Sequence, residues 1–450
     1  MLDVARNEKI RLFTYSEVSD ISGYIGNFSV EITKKPRYVK DICNGCSACM
    51  DVCPAHGYNE FNLGLNPRPA IYISFPQAVP SLAQIDMDKC IKCGLCIEAC
   101  ELEAIDFDQK TEKINVEVGT ISVATGWDEY IPEDGYLGYN KYDNVITQLQ
   151  LERILAPNGP TMGQLVRPSD GKEPKRILFI QCVGSRDLNR NVYCSSGVCC
   201  MVSIKNSKLI KQHYPDADIT VAYMDIRASG KYYEEYYTAS RIAGVKYLRT
   251  NISRIEEVSE TKNLKILVQD TLRESLGVQE MEFDLIILSA AMIPNYDILS
   301  LNKVLKLEVS PDGFFKETHA RLEPINTKIP GISLAGVSQG PKSIAESIMQ
   351  AGGSASSAGK LMTRKKYKID LIIAEVDKEK CSKCGLCILN CSYNAINMTE
   401  DGAEVDEINC RGCGSCLSNC PSEAITLRYY RESHYEAQID AILKEFEEVA

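Results

Sequence analysis

The sequence has no surplus of positive charge: 61 Asp and Glu stand against 50 Lys and Arg, for a formal net charge of −11. This excludes a nucleic-acid-binding surface and docking on an anionic membrane, both of which need basic patches, and points to other proteins as partners. No apolar run approaches the roughly 20 residues of a membrane helix. The longest, 283–293 and 369–374, are about strand length. The first residues include Asp3, Arg6 and Asn7 where a signal peptide needs its apolar stretch, so the expected location is the cytoplasm. Also missing is Gly-x-Gly-x-x-Gly, the loop whose glycines let a backbone approach a dinucleotide pyrophosphate.

Cysteine is the opposite case, with 20 in 450 residues on an otherwise ordinary background of 44% hydrophobic and 25% charged. A reducing cytoplasm disfavours structural disulfides, so spacing must decide their role. Cys43, Cys46, Cys49 and Cys53 follow the pattern C-x2-C-x2-C-x3-C. So do Cys90, Cys93, Cys96 and Cys100, then Cys381, Cys384, Cys387 and Cys391, then Cys410, Cys413, Cys416 and Cys420. This is the bacterial ferredoxin run for a [4Fe–4S] cluster, in which the fourth cysteine ligates the other cluster of a pair. The expected sets are therefore crossed: Cys43, Cys46, Cys49 with Cys100, and Cys90, Cys93, Cys96 with Cys53. Near the C-terminus they are Cys381, Cys384, Cys387 with Cys420, and Cys410, Cys413, Cys416 with Cys391. Zinc sites normally use two separated cysteine pairs, which this pattern does not match. Proline follows Cys53 and Cys420 as in the usual motif, whereas Glu101 and Ser392 follow the other two.

Four cysteines remain: Cys182, Cys194, Cys199 and Cys200. Clustered within 19 residues, they suggest a fifth cluster or else a redox-active thiol pair. A strand over 176–180 precedes them and a helix over 202–212 follows. A dinucleotide-binding domain carries its glycine loop at this place, and here Cys182-Val183-Gly184-Ser185 stands instead, so the unit reads as Rossmann-like with nicotinamide binding exchanged for a metal centre.

Two fragments between the cysteine blocks bear on flavin. Residues 121–127 read as a strand ending in Ala124-Thr125-Gly126, a feature of two-dinucleotide-domain flavoproteins. Residues 331–345 read as strand, glycine turn and helix, with Gly336, Gln339 and Gly340 in the turn; the small-residue helix over 345–359 would point its N-terminus at a phosphate. An ordinary βα unit would look the same.

The order of these parts along nearly all 450 residues resembles the A subunit of heterodisulfide reductase. Specific marks are 30–39 (Val-Glu-Ile-Thr-Lys-Lys-Pro-Arg-Tyr-Val), 71–80 (Ile-Tyr-Ile-Ser-Phe-Pro-Gln-Ala-Val-Pro), the loop 181–186 and the double cysteine Cys199-Cys200. The resemblance implies an α/β fold: a thioredoxin-reductase-like two-domain flavoprotein core, its flavin domain incomplete, with one inserted and one C-terminal two-cluster ferredoxin domain (α+β). The flavin domain would occupy 1–39, 113–165 and 301–365. The insert would run over 40–112, the Rossmann-like domain over 166–300, the second ferredoxin over 366–432, and a last helix over 433–450 with Ile439, Ile442, Leu443 and Phe446 at helical spacing.

The resemblance further implies that Cys182, Cys194, Cys199 and Cys200 hold a fifth [4Fe–4S] cluster, with a one-residue longer spacing before Cys199 bearing on Cys194. It places Lys205 beside the isoalloxazine as the catalytic residue, and Thr125, Gly126, Gly336, Gln339 and Gly340 on FAD. Two positions depart from the family: Val337 replaces an acid on the ribityl chain, and the Gly-x-Gly-x-x-Gly half of the flavin site is missing. A short second chain completing the site is the expectation. The implied role is an electron-transfer subunit of an electron-bifurcating oxidoreductase complex. Its partners would be disulfide-reductase-type B and C subunits, a hydrogenase, formate dehydrogenase or similar donor, and soluble ferredoxin, assembled as a dimer of heteromers. A flavin-free conduit or scaffold is the alternative. Five clusters, each −2 with its thiolates, take the formal charge to about −21 and require many backbone N–H donors around them.

Overall fold

The computed structural model describes residues 2–449 except 273, 274, 276, 365 and 370. Its central layer is a five-stranded parallel sheet in the order Val145–Thr147, Leu285–Ala290, Arg176–Val183, Asp218–Tyr223 and Lys246–Arg249. Parallel strands buried on both faces read as continuous apolar runs. Accordingly Ile177, Leu178 and Phe179, and Leu285 to Leu288, are fully buried. The helices Val198–His213 and Tyr233–Ile242 complete the crossovers, and an antiparallel meander of Ile255–Glu257, Leu264–Val268 and Gln279–Phe283 covers one end.

The helix Gln148–Leu155 starts where Thr147 accepts from the Gln150 backbone while the Gln150 side chain accepts from the Thr147 N–H, a reciprocal capping box. The helix Val198–His213 has Gly197 at its start in the left-handed region, φ 77. It begins four residues earlier than the apolar pattern suggests. Strand Arg176–Val183 likewise extends past 180 to include Cys182. These two shifts shorten the intervening loop and bring Cys199 and Cys200 into a helical turn.

A second body surrounds a three-stranded antiparallel sheet of Ser16–Tyr24, Asn27–Lys34 and Glu112–Val118. Lys34 pairs with Glu112, so the chain leaves and re-enters this sheet at neighbouring positions. That is why residues 35–111 can be inserted without disturbing it. The short strands Ile121–Val123 and Ile332–Leu334 pair in parallel, and Trp127–Glu129 pairs antiparallel with Met292–Pro294, linking the two bodies.

Both cysteine-rich units are built from short paired strands and four-residue helices. In the first, Ala48–Asp51 and Leu95–Glu98 are the helices; in the second, Leu386–Leu389 and Ser415–Ser418. Each helix is entered through a left-handed residue: Ser47, Gly94, Gly385 and Gly414. Glycine adopts that conformation without the Cβ clash other residues meet.

The insert leans on Gln148–Leu155. Arg153 donates to Asn62 Oδ1 at 2.9 Å and stacks over Phe61, while Gln150 donates to the Leu63 carbonyl. On the C-terminal helix Glu432–Val449, Ile439, Ile442 and Leu443 are all more than half exposed; the Phe446 side chain lies outside the described residues.

Candidate iron–sulfur and flavin sites

The fold crosses the ferredoxin cysteines as the spacing anticipates. Cys43, Cys46, Cys49 and Cys100 line one open cavity of about 820 Å³, and Cys53, Cys90, Cys93 and Cys96 line another of about 340 Å³. Cys381, Cys384, Cys387 and Cys420 surround about 300 Å³, and Cys391, Cys410, Cys413 and Cys416 about 330 Å³. In each run the second cysteine is exposed and the third buried. No three His, Cys, Asp or Glu side chains among the described residues close on a single-ion position.

The donor chemistry around these thiols fits thiolates. Backbone N–H groups point at sulfur from Ala104 to Cys100, Lys92 to Cys90, Ala374 to Cys410, Ala395 to Cys391 and Ala424 to Cys420, all at 3.3–3.4 Å. Burial, with the neighbouring thiols of its own set, pushes Cys49 and Cys416 up to about 11. Burial also raises Cys96 and Cys387. Thiols this reluctant to ionise need the charge of iron to stay deprotonated, so cluster binding releases protons.

The other four cysteines also come together. Cys182 lies in the strand at φ 62 and Cys199 and Cys200 in the first helical turn, while Cys194 sits in the loop between. Cys199 interacts electrostatically with Cys200, Cys182 and Cys194, and burial pushes it up to about 12. Burial takes Cys200 up to about 11 against a hydrogen bond from the Arg227 backbone. Burial raises Cys182 as well, opposed by Arg186 and Ser185. Ser195, almost fully buried, opposes the shift at Cys199 and accepts from the Met292 N–H at 3.0 Å. The Cys199 and Cys200 thiols donate to the Ala290 and Asp225 carbonyls at 3.6 and 3.9 Å, and four thiols this close, with the Arg186 charge acting on two of them, fit an iron–sulfur cluster.

The flavin candidates are divided. The Thr125 hydroxyl is buried with no partner. A Cβ added at Gly126 or Gly340 would meet open space within 4 Å, and Gly336 is in the left-handed region. An orphaned hydroxyl beside an open glycine turn fits a missing polar ligand such as FAD. The Gln339 side chain is engaged elsewhere, donating to Glu317 and accepting from Lys342 and Gln350. The small-residue helix, which runs Ile344–Arg364, also differs from expectation at its start. Ser343 and Glu346 cap it reciprocally, so part of its first turn is already satisfied and carries a carboxylate where a phosphate would bind. Lys205 Nζ pairs with Glu152 at 2.5 Å, and Glu152 also accepts from Asn206.

Several site residues escape sequence reasoning. Asp225 and Arg227 carry no motif of their own and meet Arg186, of the loop 181–186, and Cys200 only because two loops converge. Glu129 is another: it accepts from Thr147 Oγ1 and the Leu149 N–H, and burial pushes it up to about 7.

A mixed α/β chain bearing two two-cluster ferredoxin units defines an iron–sulfur oxidoreductase component. Models for 4Fe-4S dicluster domains match residues 42–105 and 374–427, which establishes [4Fe–4S] binding by these two units. The chain is 51% identical to the iron-sulfur A subunit of the CoB--CoM heterodisulfide reductase of Methanocaldococcus jannaschii, over 99% of its own length and 68% of that protein. It is 49% identical to the A subunit of the H(2)/formate:CoB-CoM heterodisulfide,ferredoxin reductase of Methanococcus maripaludis, over 98% and 68%. Among solved structures it is similar to the T. acidophilum thioredoxin reductase at 12% identity, covering 65% of this chain and 85% of that one, with a TM-score of 0.36. The chain belongs to the family of heterodisulfide reductase iron–sulfur A subunits. Among the described residues no helix is long and apolar enough to cross a membrane.

Proposed function

We propose that this chain is the branching electron carrier of a heterodisulfide-reductase-like complex, holding five [4Fe–4S] clusters and FAD and supporting electron bifurcation. What supports it is that one short helix touches the inserted ferredoxin unit, the expected flavin lysine and, through it, the helix that carries Cys199 and Cys200. The inserted ferredoxin rests on Gln148–Leu155 through Arg153 and Gln150. That same helix holds Lys205 through Glu152, and Lys205 lies five residues beyond Cys200 on the helix that carries the last two cysteines of the middle set.

FAD, when bound, exchanges an electron pair with one partner and single electrons with separate clusters. Thr125 would donate to it, and Gly126, Gly336 and Gly340 would let it approach the backbone. Lys205 would supply a cation near its ring, with Glu152 holding the ammonium in place. The second ferredoxin unit contacts a different part of the chain from the insert, Asn394 donating to the Lys306 carbonyl at 2.9 Å, so the two ferredoxin units would serve different partners. A strand–turn–helix unit outside these 450 residues would pair with Ile121–Val123, whose one described partner is Ile332–Leu334, and would hold the pyrophosphate.

Disulfide-reducing subunits, a hydrogenase or formate-oxidising donor and soluble ferredoxin are the corresponding partners, by analogy with the relatives' activities. The test is anaerobic purification of the complex with iron and flavin counted per chain, followed by assays with one or both acceptors. Twenty irons, bound FAD, and ferredoxin reduction that requires the heterodisulfide are expected. No FAD in an iron-replete preparation defeats the flavin assignment, and ferredoxin reduction without the second acceptor defeats bifurcation.

A further inference from the structure

Residues 182–186 turn sharply between strand and loop. Cys182, Gly184 and Arg186 all have φ between 56 and 76. Two of the three are not glycine, so the turn stores backbone strain that the surrounding structure must hold in place. Packing does this at Gly184, where an added Cβ would lie 2.1 Å from the Tyr130 ring. The strain serves to turn the Arg186 side chain back over the cysteine four residues before it.

Arg186 is fixed from two sides. Its backbone N–H donates to the Tyr193 carbonyl at 3.0 Å, and Nη2 donates to Asp225 Oδ2 at 2.7 Å. Asp225, which holds the guanidinium, also accepts from the Cys200 thiol through its backbone carbonyl at 3.9 Å, and the guanidinium's charge acts on both Cys182 and Cys200. Nη1 is buried with no hydrogen-bond partner. A buried, charged donor left unpaired is costly unless something accepts from it. The sulfurs of Cys182 and Cys200, on which its charge acts, can supply that acceptor only when their set holds a sulfur-rich anionic group, since a neutral thiol is a poor acceptor.

We propose that Arg186 is a positioning residue that raises the reduction potential of the cluster held by Cys182, Cys194, Cys199 and Cys200, with Asp225 setting how much of its charge is felt. This rests on the five-cluster reading above. One-electron reduction takes the cluster with its thiolates from −2 to −3, with the electron delivered by the bound flavin or a neighbouring cluster. A fixed cation and donated N–H groups favour the more negative state. Asp225 opposes Arg186 as a counter-charge, and about half its side chain is exposed. Removing the arginine and removing the aspartate must therefore move the potential in opposite directions.

The experiment is an EPR-monitored redox titration of the anaerobically purified full chain in its complex. The fifth-cluster signal is identified as the one missing from a Cys199→Ala control. Arg186→Gln should shift the one-electron equilibrium of that cluster at least tenfold toward the oxidised form, equal to 59 mV, and leave the other four clusters unmoved. Arg186→Lys should recover part of the shift, and Asp225→Asn should shift the same cluster the other way. Twenty irons per chain in Arg186→Gln with an unchanged potential overturns the proposal, as does a shift of one sign in both variants. If Arg186→Gln fails to load the cluster, Asp225→Asn alone decides: a raised potential supports the role and an unmoved one refutes it. Sixteen irons in the unmutated chain removes the five-cluster reading itself and this proposal with it, an outcome the iron count separates from all the others.

Discussion

Crossed ligation can be tested at Cys100. This residue ends the second ferredoxin run, but its sulfur lies in the cavity with Cys43, Cys46 and Cys49, where Cys49 feels its charge. Cys100→Ala should therefore damage the cluster of the first run and spare that of its own. The site loses one of four thiolates and the acceptor for the Ala104 N–H, a bond worth roughly 1 kcal/mol, so the backbone survives while the cluster does not. Between one and four of the expected twenty irons should be lost, depending on whether a three-iron remnant persists. The sharper readout is which thiols become free. Cys46 is exposed, with Cys43 half-buried and Cys49 buried. Alkylation under anaerobic, non-denaturing conditions followed by peptide mass spectrometry should label Cys46 first, then Cys43. Cys93, equally exposed, should stay protected by its own intact cluster. Labelling of Cys93 with Cys46 protected would refute the crossed arrangement in this unit.

Gly412→Ala would place a Cβ 2.3 Å from the Ile372 carbonyl oxygen in a left-handed backbone. A cost of about 1–3 kcal/mol for the backbone strain alone should strip iron from the set of Cys391, Cys410, Cys413 and Cys416, read as lost iron with the inserted unit's EPR signals retained. Glu129 gives a pH signature. Its folded form titrates near 7 instead of 4.5, so folding favours the protonated acid and about 3 kcal/mol of stability is lost as pH rises from 4.5 to 7. Anaerobic melting between pH 5 and 8 should show Glu129→Gln losing less stability than the unmutated chain over that window; parallel curves refute it. Lys205→Met should change thermal stability by less than about 1 kcal/mol, because the Glu152 pair is part-exposed. It should lower the flavin potential, and an unmoved potential would remove Lys205 from the flavin site.

The cysteine chemistry of the two ferredoxin units was legible because it is local. A run of three thiols two residues apart, with its short helix entered through Gly94, Gly385 or Gly414, is a local signature of a cubane, and the fourth cysteine marks the partner run. The middle site was half legible. Four cysteines within 19 residues suggest a shared site, and the loop 181–186 includes Arg186, but Asp225 and Arg227 carry no spacing signal and reach it only where the loop after Arg176–Val183 and the loop after Asp218–Tyr223 converge. The flavin fragments were least legible. Gln339 looked like a free polar contact in a glycine turn, yet its amide is spent on Glu317, Lys342 and Gln350. The expected phosphate-binding helix start was already capped by Ser343 and Glu346, a pairing three residues apart that the sequence did contain.

The sequence by itself determined that the two ferredoxin units carry [4Fe–4S] motifs, since the type and spacing of three thiols in each run act over a few residues, while the fourth thiol of each set arrives from the other run. The tertiary structure decided what surrounds them. It placed the insert against Gln148–Leu155, tied Lys205 to Glu152, and brought the charge of Arg186 to bear on Cys182 and Cys200. Those contacts join residues far apart in the chain, and their energies depend on burial and on the distance between charges, quantities that exist only once the chain has folded.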